Sequence, residues 1–206
     1  MKSVRPSEPN NLYYIIGIDE AGRGPLAGPM VVAGVMLAVK NRNKEKKIFA
    51  SIRDSKKLTA KKRGGWLKFI KNHEQISFAR VIISPAVIDR INIHQAALLG
   101  AERVYKKLLA ETARQNHPKI ITRLDGGLRL KNADFKTIIK GDEKIPVIAA
   151  ASIVAKTCRD RLMLGWHKKY PQYGFDKHKG YGTLRHRIAL RRFGACQIHR
   201  RSFTLL

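Results

Sequence analysis

The chain has 206 residues, of which 44% are apolar, so it is long enough and apolar enough to build the core of one folded domain. Its 42 lysines and arginines outnumber its 15 aspartates and glutamates, and the net charge of +27 indicates a polyanionic partner such as nucleic acid. The longest apolar stretches, 26–39 and 145–155, are shorter than the roughly 20 residues of a membrane span, so we expect no membrane partner.

The first half of the chain alternates β-branched apolar runs with turn-forming residues, which is typical of strands separated by loops. In chain order we predict a strand at 13–18, a glycine- and proline-rich loop at 22–29, a strand at 31–39, a surface loop at 41–47, a helix at 59–72 capped by Thr59, and a strand at 76–83 that Pro85 ends.

In the second half, apolar residues recur every three or four positions, the period of an amphipathic helix. We predict a helix at 93–115, a strand at 119–124, a helix at 145–170 and a helix at 183–193. This order predicts an α/β fold with a mixed central sheet flanked by helices and a helical C-terminal part. Residues 1–12 are expected to be a flexible segment, and 13–206 a single domain.

The two cysteines, Cys158 and Cys196, lack the spacing of a metal knuckle and fit a reducing compartment. Residues 1–11 are polar and contain Pro6 and Pro9, unlike the apolar core of a secretory signal. We therefore expect a cytoplasmic protein, and we expect a monomer. The histidines show no clustered ligand spacing, which argues against a structural zinc site.

Asp19 and Glu20 are adjacent acids at the end of a predicted strand in a chain that is otherwise strongly basic. Neighbouring carboxylates that are partly buried resist full ionisation unless a cation compensates them, and Mg²⁺ and Mn²⁺ prefer such oxygen ligands. An isolated Asp-Glu pair is also typical of a strand end at which the acids face solvent or cap the next turn. Asp125 likewise ends a predicted strand, directly before Gly126 and Gly127, where it is either exposed at the sheet edge or an ordinary turn aspartate.

Asp160 lies in the polar half of the predicted helix at 145–170. Ser152, Lys156 and Asp160 are spaced four residues apart, so they share one face of that helix. The spacing fits a functional face, and it equally fits an exposed ion pair between Lys156 and Asp160, which contributes a few tenths of a kcal/mol. Periodicity leaves both interpretations open.

The sequence resembles the ribonuclease HII family through an ordered series of motifs that runs from about residue 14 to 203. The motifs are GIDEAGRGPLAGP at 17–29, DSKKL at 54–58, NI at 92–93, LDG at 124–126, KGD at 140–142, AASIVAK at 150–156 with RD at 159–160, HKGYGT at 178–183 and HRRSF at 199–203.

The resemblance implies a ribonuclease H-like fold in which four acids bind divalent metal ions, Mn²⁺ or Mg²⁺. By resemblance these acids are Asp19, Glu20, Asp125 and Asp160, whereas Asp142 and Asp54 are assigned structural roles. The implied activity is two-metal hydrolysis of the RNA strand of RNA/DNA hybrids. It includes cleavage 5′ of single ribonucleotides in duplex DNA, which leaves 3′-hydroxyl and 5′-phosphate ends.

The resemblance also implies a substrate-binding set. Gly22, Arg23 and Gly24 match the loop that senses the ribose 2′-hydroxyl, and Tyr181 matches the tyrosine that stacks on the next sugar. Ser55 and Lys56 are expected to contact a backbone phosphate. Without the resemblance, the loop would be interpreted as a glycine turn and the tyrosine as a packing residue.

Three alternatives remain at this stage. A non-catalytic nucleic-acid binder explains the charge but has no need for converging acids. Ribonuclease HIII carries an additional N-terminal domain and a glutamate as its fourth acid, whereas here 18 residues precede Asp19 and residue 160 is aspartate. Another nuclease or a transposase of the same fold superfamily would lack the glycine-arginine-glycine loop.

Overall fold

The computed structural model describes residues 12–41, 43–50, 52, 58–112 and 119–205. Its core is one five-stranded sheet in the order β3-β2-β1-β4-β5. The strands are β1 (Tyr13–Ala21), β2 (Met30–Val39), β3 (Ile76–Ile83), β4 (Lys119–Asp125) and β5 (Lys136–Ile138). β1 pairs antiparallel with β2 and parallel with β4, so the predicted mixed sheet is confirmed.

Helices cover both faces of this sheet. The helices are α1 (Lys44–Ile48), α2 (Ala60–Asn72), α3 (Pro85–Ala110), α4 (Gly141–Lys144), α5 (Pro146–Lys169), α6 (Phe175–His178) and α7 (Leu184–Phe193), with a 3₁₀ turn at Pro171–Tyr173. The apolar side chains on one face of the sheet pack against α5, and those on the other face pack against α3. None of the helices in the described part of the chain is long and apolar enough to cross a membrane.

The start of α5 lies directly against β1. A Cβ atom added to Gly17 would be 2.5 Å from the carbonyl carbon of Val147, so only glycine permits this approach. The same helix later carries Ser152, Lys156, Arg159 and Asp160. The contact therefore fixes that polar helix face relative to the end of β1, where Asp19 and Glu20 lie.

The predicted surface loop at 41–47 is wrong in part, because α1 begins at Lys44. Glu45 is buried, accepts a hydrogen bond from Arg123 Nη1 at 2.7 Å and accepts another from the backbone of Val147 at 3.3 Å. These partners are 78 and 102 residues away along the chain. Local polarity therefore gave no sign of a helix that tertiary contacts stabilise.

The predicted start of α3 is also wrong, because Pro85 begins the helix and Ser84 caps it. The helix is interrupted at Asn92, whose φ of 61° is left-handed. The Asn92 side chain accepts hydrogen bonds from the backbones of His94 and Gln95, both at 3.0 Å. It thus caps the second segment, which is the part that the periodicity predicted from residue 93 onward.

The other elements agree with prediction to within a few residues, apart from the short ones that were missed: β5, α4, the 3₁₀ turn and α6. Thr59 and Thr183 cap α2 and α7 through their hydroxyl groups. The C-terminal helices pack around a third apolar cluster that includes Leu26, Met163 and Phe175. The predicted flexible segment 1–12 lies outside the described residues except for its last residue, Leu12.

Candidate active site

Three of the predicted acids lie at one edge of the sheet. Ile18 in β1 is in register with Leu124 in the parallel strand β4, so the residues that follow them, Asp19 and Asp125, are neighbours. Glu20 is the next residue of β1, opposite Val32 of β2. The fold therefore brings together acids that are about a hundred positions apart in the sequence.

The Asp19 carboxylate is in an unfavourable environment for a negative charge. The residue is only 2% exposed, and burial raises its pKa well above the ordinary value. The negative charges of Glu20 and Asp125 raise the pKa further. Hydrogen bonding from the Ser152 side chain and from the Glu20 backbone lowers it in part. A cation bound beside Asp19 would remove this penalty.

One oxygen of Asp19 remains available to such a cation. Oδ1 accepts a hydrogen bond from the Glu20 backbone at 2.7 Å, whereas Oδ2 is buried and has no hydrogen-bond partner among the described residues. A buried carboxylate oxygen without a partner is uncommon and costly. The donor set, which consists of carboxylate oxygens, fits a hard divalent ion such as Mg²⁺ or Mn²⁺.

The other two acids are held by hydrogen bonds from the protein. Glu20 Oε1 accepts a hydrogen bond from Arg23 Nη1 at 2.9 Å, and Asp125 Oδ1 accepts one from the Gly141 backbone at 2.6 Å. Within the described ranges, no three His, Cys, Asp or Glu side chains are already close enough together to hold an ion. A bound ion would have to draw these carboxylates closer together than they are in this structure.

Asp160 is placed differently from the other three acids. Its Oδ1 lies 2.7 Å from Lys156 Nζ, and its Oδ2 lies 3.6 Å from Arg63 Nη2. Its charge is absent from the causes that raise the pKa of Asp19. The i,i+4 ion pair with Lys156 that the helix spacing allowed is thus present, and the metal-binding role of Asp160 stays a prediction.

Asp142, which was predicted to have a structural role, follows directly after the residue that binds Asp125. It directly follows Gly141, whose N–H binds Asp125, and its side chain is buried, with 1% exposure. It belongs to the short helix α4. Its position next to the Asp125 partner makes it a second candidate for the fourth acid.

The predicted ribose-sensing loop and Tyr181 line one cavity of about 280 Å³ next to the acids. The residues around this cavity are Glu20, Ala21, Gly22, Arg23, Gly24, Arg63, Ser152, Lys156, Arg159 and Tyr181. Tyr181 is 44% exposed, with its ring centroid 5.9 Å from the Arg159 guanidinium carbon. The structure thus groups four predicted substrate-binding residues, Gly22, Arg23, Gly24 and Tyr181, with Glu20. Ser55 and Lys56, the predicted phosphate contacts, and Asp54 lie outside the described residues.

Comparison with known proteins identifies the family. The model of the family described as Ribonuclease HII matches residues 16–206. The chain is 47% identical over 190 residues to the ribonuclease HII of Chlamydia caviae, an alignment that covers 92% of this chain and 83% of that protein. The chain belongs to the ribonuclease HII family. It is therefore an enzyme, a ribonuclease H of type 2, and the alternative of a non-catalytic binder is excluded.

Solved structures agree with this assignment. The fold matches ribonuclease H2 from Pyrococcus horikoshii with a TM-score of 0.68 and 27% identity, covering 93% of this chain and 94% of that one. It also matches a Bst ribonuclease HIII solved with Mn²⁺, with a TM-score of 0.69 and 19% identity, covering 94% of this chain and 68% of that one. At that identity the second match supports only the ribonuclease H-like fold.

Sequence reasoning gave no role to two arginines of this ribonuclease HII family member whose side chains are buried next to the candidate site. Arg159 and Arg200 lie in the family motifs but were not assigned to the site, yet both side chains are fully buried beside the loop predicted to sense the ribose. The signal that could have found Arg159 is its place on an apolar helix face, with Ala155 four residues before it and Met163 four residues after it. Arg200 gave no such signal, because it lies in a basic segment.

Proposed function

We propose that this enzyme hydrolyses the RNA strand of RNA/DNA hybrids and cuts 5′ of single ribonucleotides embedded in duplex DNA, leaving 3′-hydroxyl and 5′-phosphate ends. The observation that carries the proposal is the shared cavity, in which Glu20 of the acidic cluster and the Gly22–Gly24 loop face the same space. An acid cluster beside a backbone loop combines a reaction centre with a means of contacting a sugar.

The acids would hold divalent metal ions. Asp19, Glu20 and Asp125 supply the carboxylate oxygens, and the buried Oδ2 of Asp19 is the atom best prepared for a ligand role. When bound, Mn²⁺ or Mg²⁺ activates water and stabilises the charge that develops on the phosphate. Without metal, the positive charge of Arg23 compensates the negative charge of Glu20 through their 2.9 Å ion pair.

The residues around the cavity have separate tasks in this proposal. The backbone of Gly22, Arg23 and Gly24 contacts the 2′-hydroxyl, which is both a donor and an acceptor, and so distinguishes ribose from deoxyribose. The half-exposed ring of Tyr181 stacks on the following sugar. Lys156 and Arg63, which line the same cavity, are placed to attract the phosphate backbone, a role predicted for Ser55 and Lys56 as well.

The identity of the fourth acid needs a direct comparison. Asp160 is the residue predicted from the sequence, and its two oxygens face Lys156 and Arg63. Asp142 is buried and adjoins the hydrogen bond between Gly141 and Asp125. On these contacts Asp142 is the better placed of the two to share a cation with Asp125, and we propose it as the alternative to Asp160.

Cleavage of defined duplexes tests the proposed activity. The purified protein is incubated with duplex DNA that contains one central ribonucleotide, with an RNA/DNA hybrid and with an all-DNA duplex, each with Mn²⁺, Mg²⁺ or a chelator. We expect metal-dependent cuts 5′ of the ribonucleotide and within the RNA strand, and no cut in the all-DNA duplex. The Glu74→Gln variant, which alters an exposed acid outside the cavity, serves as the matched control for changes in the cluster. Absence of cleavage with either metal, or equal cleavage of the all-DNA duplex, would overturn the proposal.

A further inference from the structure

Two buried arginines lie beneath the loop that carries Gly22, Arg23 and Gly24. Arg159, in α5, and Arg200, near the C-terminus, are both 0% exposed. Neither forms an ion pair with a carboxylate in the described part of the chain. Burying a guanidinium without a counterion is costly, so the contacts that these side chains make need an explanation.

Arg200 holds the loop by its carbonyl groups. Its Nη2 donates to the carbonyl of Gly22 at 2.6 Å, its Nη1 donates to the carbonyl of Arg23 at 2.9 Å, and its Nε donates to the carbonyl of Gly28 at 3.0 Å. These residues are more than 170 positions away in sequence. One rigid, planar group thus fixes both ends of the loop.

The fixed carbonyls determine where the loop's N–H groups point. No cis peptide bond occurs among the described residues, and in a trans peptide unit the C=O and the following N–H point in opposite directions. Because Arg200 draws the carbonyls of Gly22 and Arg23 inward, the N–H groups of Arg23 and Gly24 point away from it. These residues line the cavity, and their N–H groups have no hydrogen-bond partner within the described ranges.

Arg159 joins this loop to the segment that carries Tyr181. Its Nη2 donates to the carbonyls of Ala27 at 3.2 Å and Lys179 at 2.9 Å, and its Nε donates to the carbonyl of Pro29 at 3.0 Å. Its Nη1 is buried without a hydrogen-bond partner among the described residues. The guanidinium also underlies the Tyr181 ring.

Gly22 is required for Arg159 to approach this closely. Its φ of +96° favours glycine, and an added Cβ atom would be 2.1 Å from Arg159 Nε. The loop therefore packs directly on the guanidinium. Asp160 attracts Arg159 and Asp89 attracts Arg200, but neither carboxylate is in ion-pair contact, so a phosphodiester bound in the cavity would add negative charge close to these two guanidinium groups.

We infer that Arg159 and Arg200 are positioning residues for ribose recognition, which hold the Gly22–Gly24 N–H groups and the Tyr181 segment in their substrate-binding arrangement before substrate arrives. The inference rests on the proposed function, because the loop's role as a ribose sensor belongs to that proposal. Neither arginine needs to touch the sugar. Each acts through backbone carbonyls whose positions determine what faces the cavity.

Single-turnover cleavage at saturating enzyme tests the positioning role. Arg200→Lys and Arg159→Lys keep the charge but lose the planar fork of donors, and Arg201→Lys, at an exposed neighbouring arginine, is the control. We expect the rate constant on a duplex with one ribonucleotide to fall by about tenfold or more in both buried variants, since small displacements of positioning groups have effects of this size. The affinity for an all-DNA duplex, which has no 2′-hydroxyl to read, should change less than about twofold.

A purely structural role gives a different result. It would reduce the reaction amplitude, because fewer molecules are folded, and leave the rate constant of the folded molecules unchanged. If the wild-type enzyme cuts and both lysine variants cut with the control's rate constant, the inference is wrong while the proposed function stands. If the wild-type enzyme does not cut, the proposed function itself fails.

Hydrogen exchange supplies a readout that depends neither on cleavage nor on the folding of the variants. The amides of Leu26, Ala27 and Gly28 bind the carbonyls of Gly180 and Ile198, so they report whether the loop is in place. In the wild-type enzyme without metal, we expect these amides to be equally protected with and without the ribonucleotide duplex. Protection that appears only after the duplex binds would overturn the inference, because the loop would then be ordered by substrate.

Discussion

The Nε2 atom of His186 lies 3.0 Å from the Nε2 atom of His199, and both rings are buried. His186 Nδ1 lies 2.9 Å from the Tyr181 carbonyl, and it must carry a proton to bond that oxygen. His199 Nδ1 accepts a hydrogen bond from the Cys196 backbone N–H at 2.9 Å, so the proton of His199 lies on Nε2, which donates it to Nε2 of His186. Both histidines are therefore neutral in the folded enzyme, and the pair supports the segment that presents Tyr181.

Acid should weaken the fold through this pair. Burial lowers the pKa of His186 from 6.5 to about 4 and also lowers the pKa of His199. As the pH falls below 6.5, the unfolded chain binds protons that the folded chain does not, so the free energy of unfolding decreases between about pH 6.5 and 4. For His186 the full shift corresponds to about 3 kcal/mol. Urea unfolding at several pH values measures this loss.

Carboxyl groups also titrate at the lower end of that pH range. Variants are therefore needed to isolate the contribution of the histidine pair to the pH dependence of stability. His186→Gln should flatten the dependence of stability on pH between 6.5 and 5, whereas His73→Gln, at a residue outside the buried pair, should leave it as in the wild type. An unchanged slope in His186→Gln would show that the pair does not control acid sensitivity.

Asp19→Asn should separate stability from activity. Without metal, the substitution removes a buried carboxyl group whose pKa is raised by burial and by the negative charges of Glu20 and Asp125. We expect the metal-free protein to be more stable than the wild type, and cleavage to fall roughly 100-fold or more because the metal loses a ligand. Thermal unfolding in a chelator and single-turnover cleavage measure the two effects. A stability loss together with retained cleavage would remove Asp19 from the centre of the site.

The sequence predicted the parts of the site whose signals are local. Local patterns placed Asp19 and Asp125 at strand ends and Thr59 at a helix start, whereas the metal-binding role of the two acids came only from the resemblance to the ribonuclease HII family. What escaped prediction depends on contacts between distant residues. The buried Glu45 accepts hydrogen bonds from Arg123 and from the backbone of Val147, and Arg200 reaches Gly22 across 178 positions. Periodicity and propensity carry no information on such pairs, so charged residues at these positions look like surface residues.

Two matched substitutions decide which acid is the fourth ligand. Asp142→Asn should lower single-turnover cleavage more than Asp160→Asn, because Asp142 adjoins the Asp125 partner Gly141 while Asp160 is paired with Lys156 and Arg63. We expect a loss on the order of 100-fold for Asp142→Asn. Titration calorimetry with Mn²⁺ gives an independent measure of ligand loss, and Glu143→Gln, at an exposed neighbour, controls for local disturbance of α4. A larger loss in Asp160→Asn would instead support the role predicted from the sequence.

Binding of nucleic acid should fall steeply as salt rises, because the net charge of +27 favours many phosphate contacts. α7 follows Tyr181 directly and exposes Arg191 and Arg192, so we expect it to carry some of these contacts. Replacing both arginines with glutamine should reduce the slope of log affinity against log salt by about 1 to 2, since each phosphate contact contributes about 0.9. Fluorescence anisotropy with an RNA/DNA hybrid in chelator measures the slope, and the same change at Lys106 and Lys107 of α3 is the control. If the α3 variant loses as much slope as the α7 variant, the contacts are spread over the basic surface and α7 has no special part in binding.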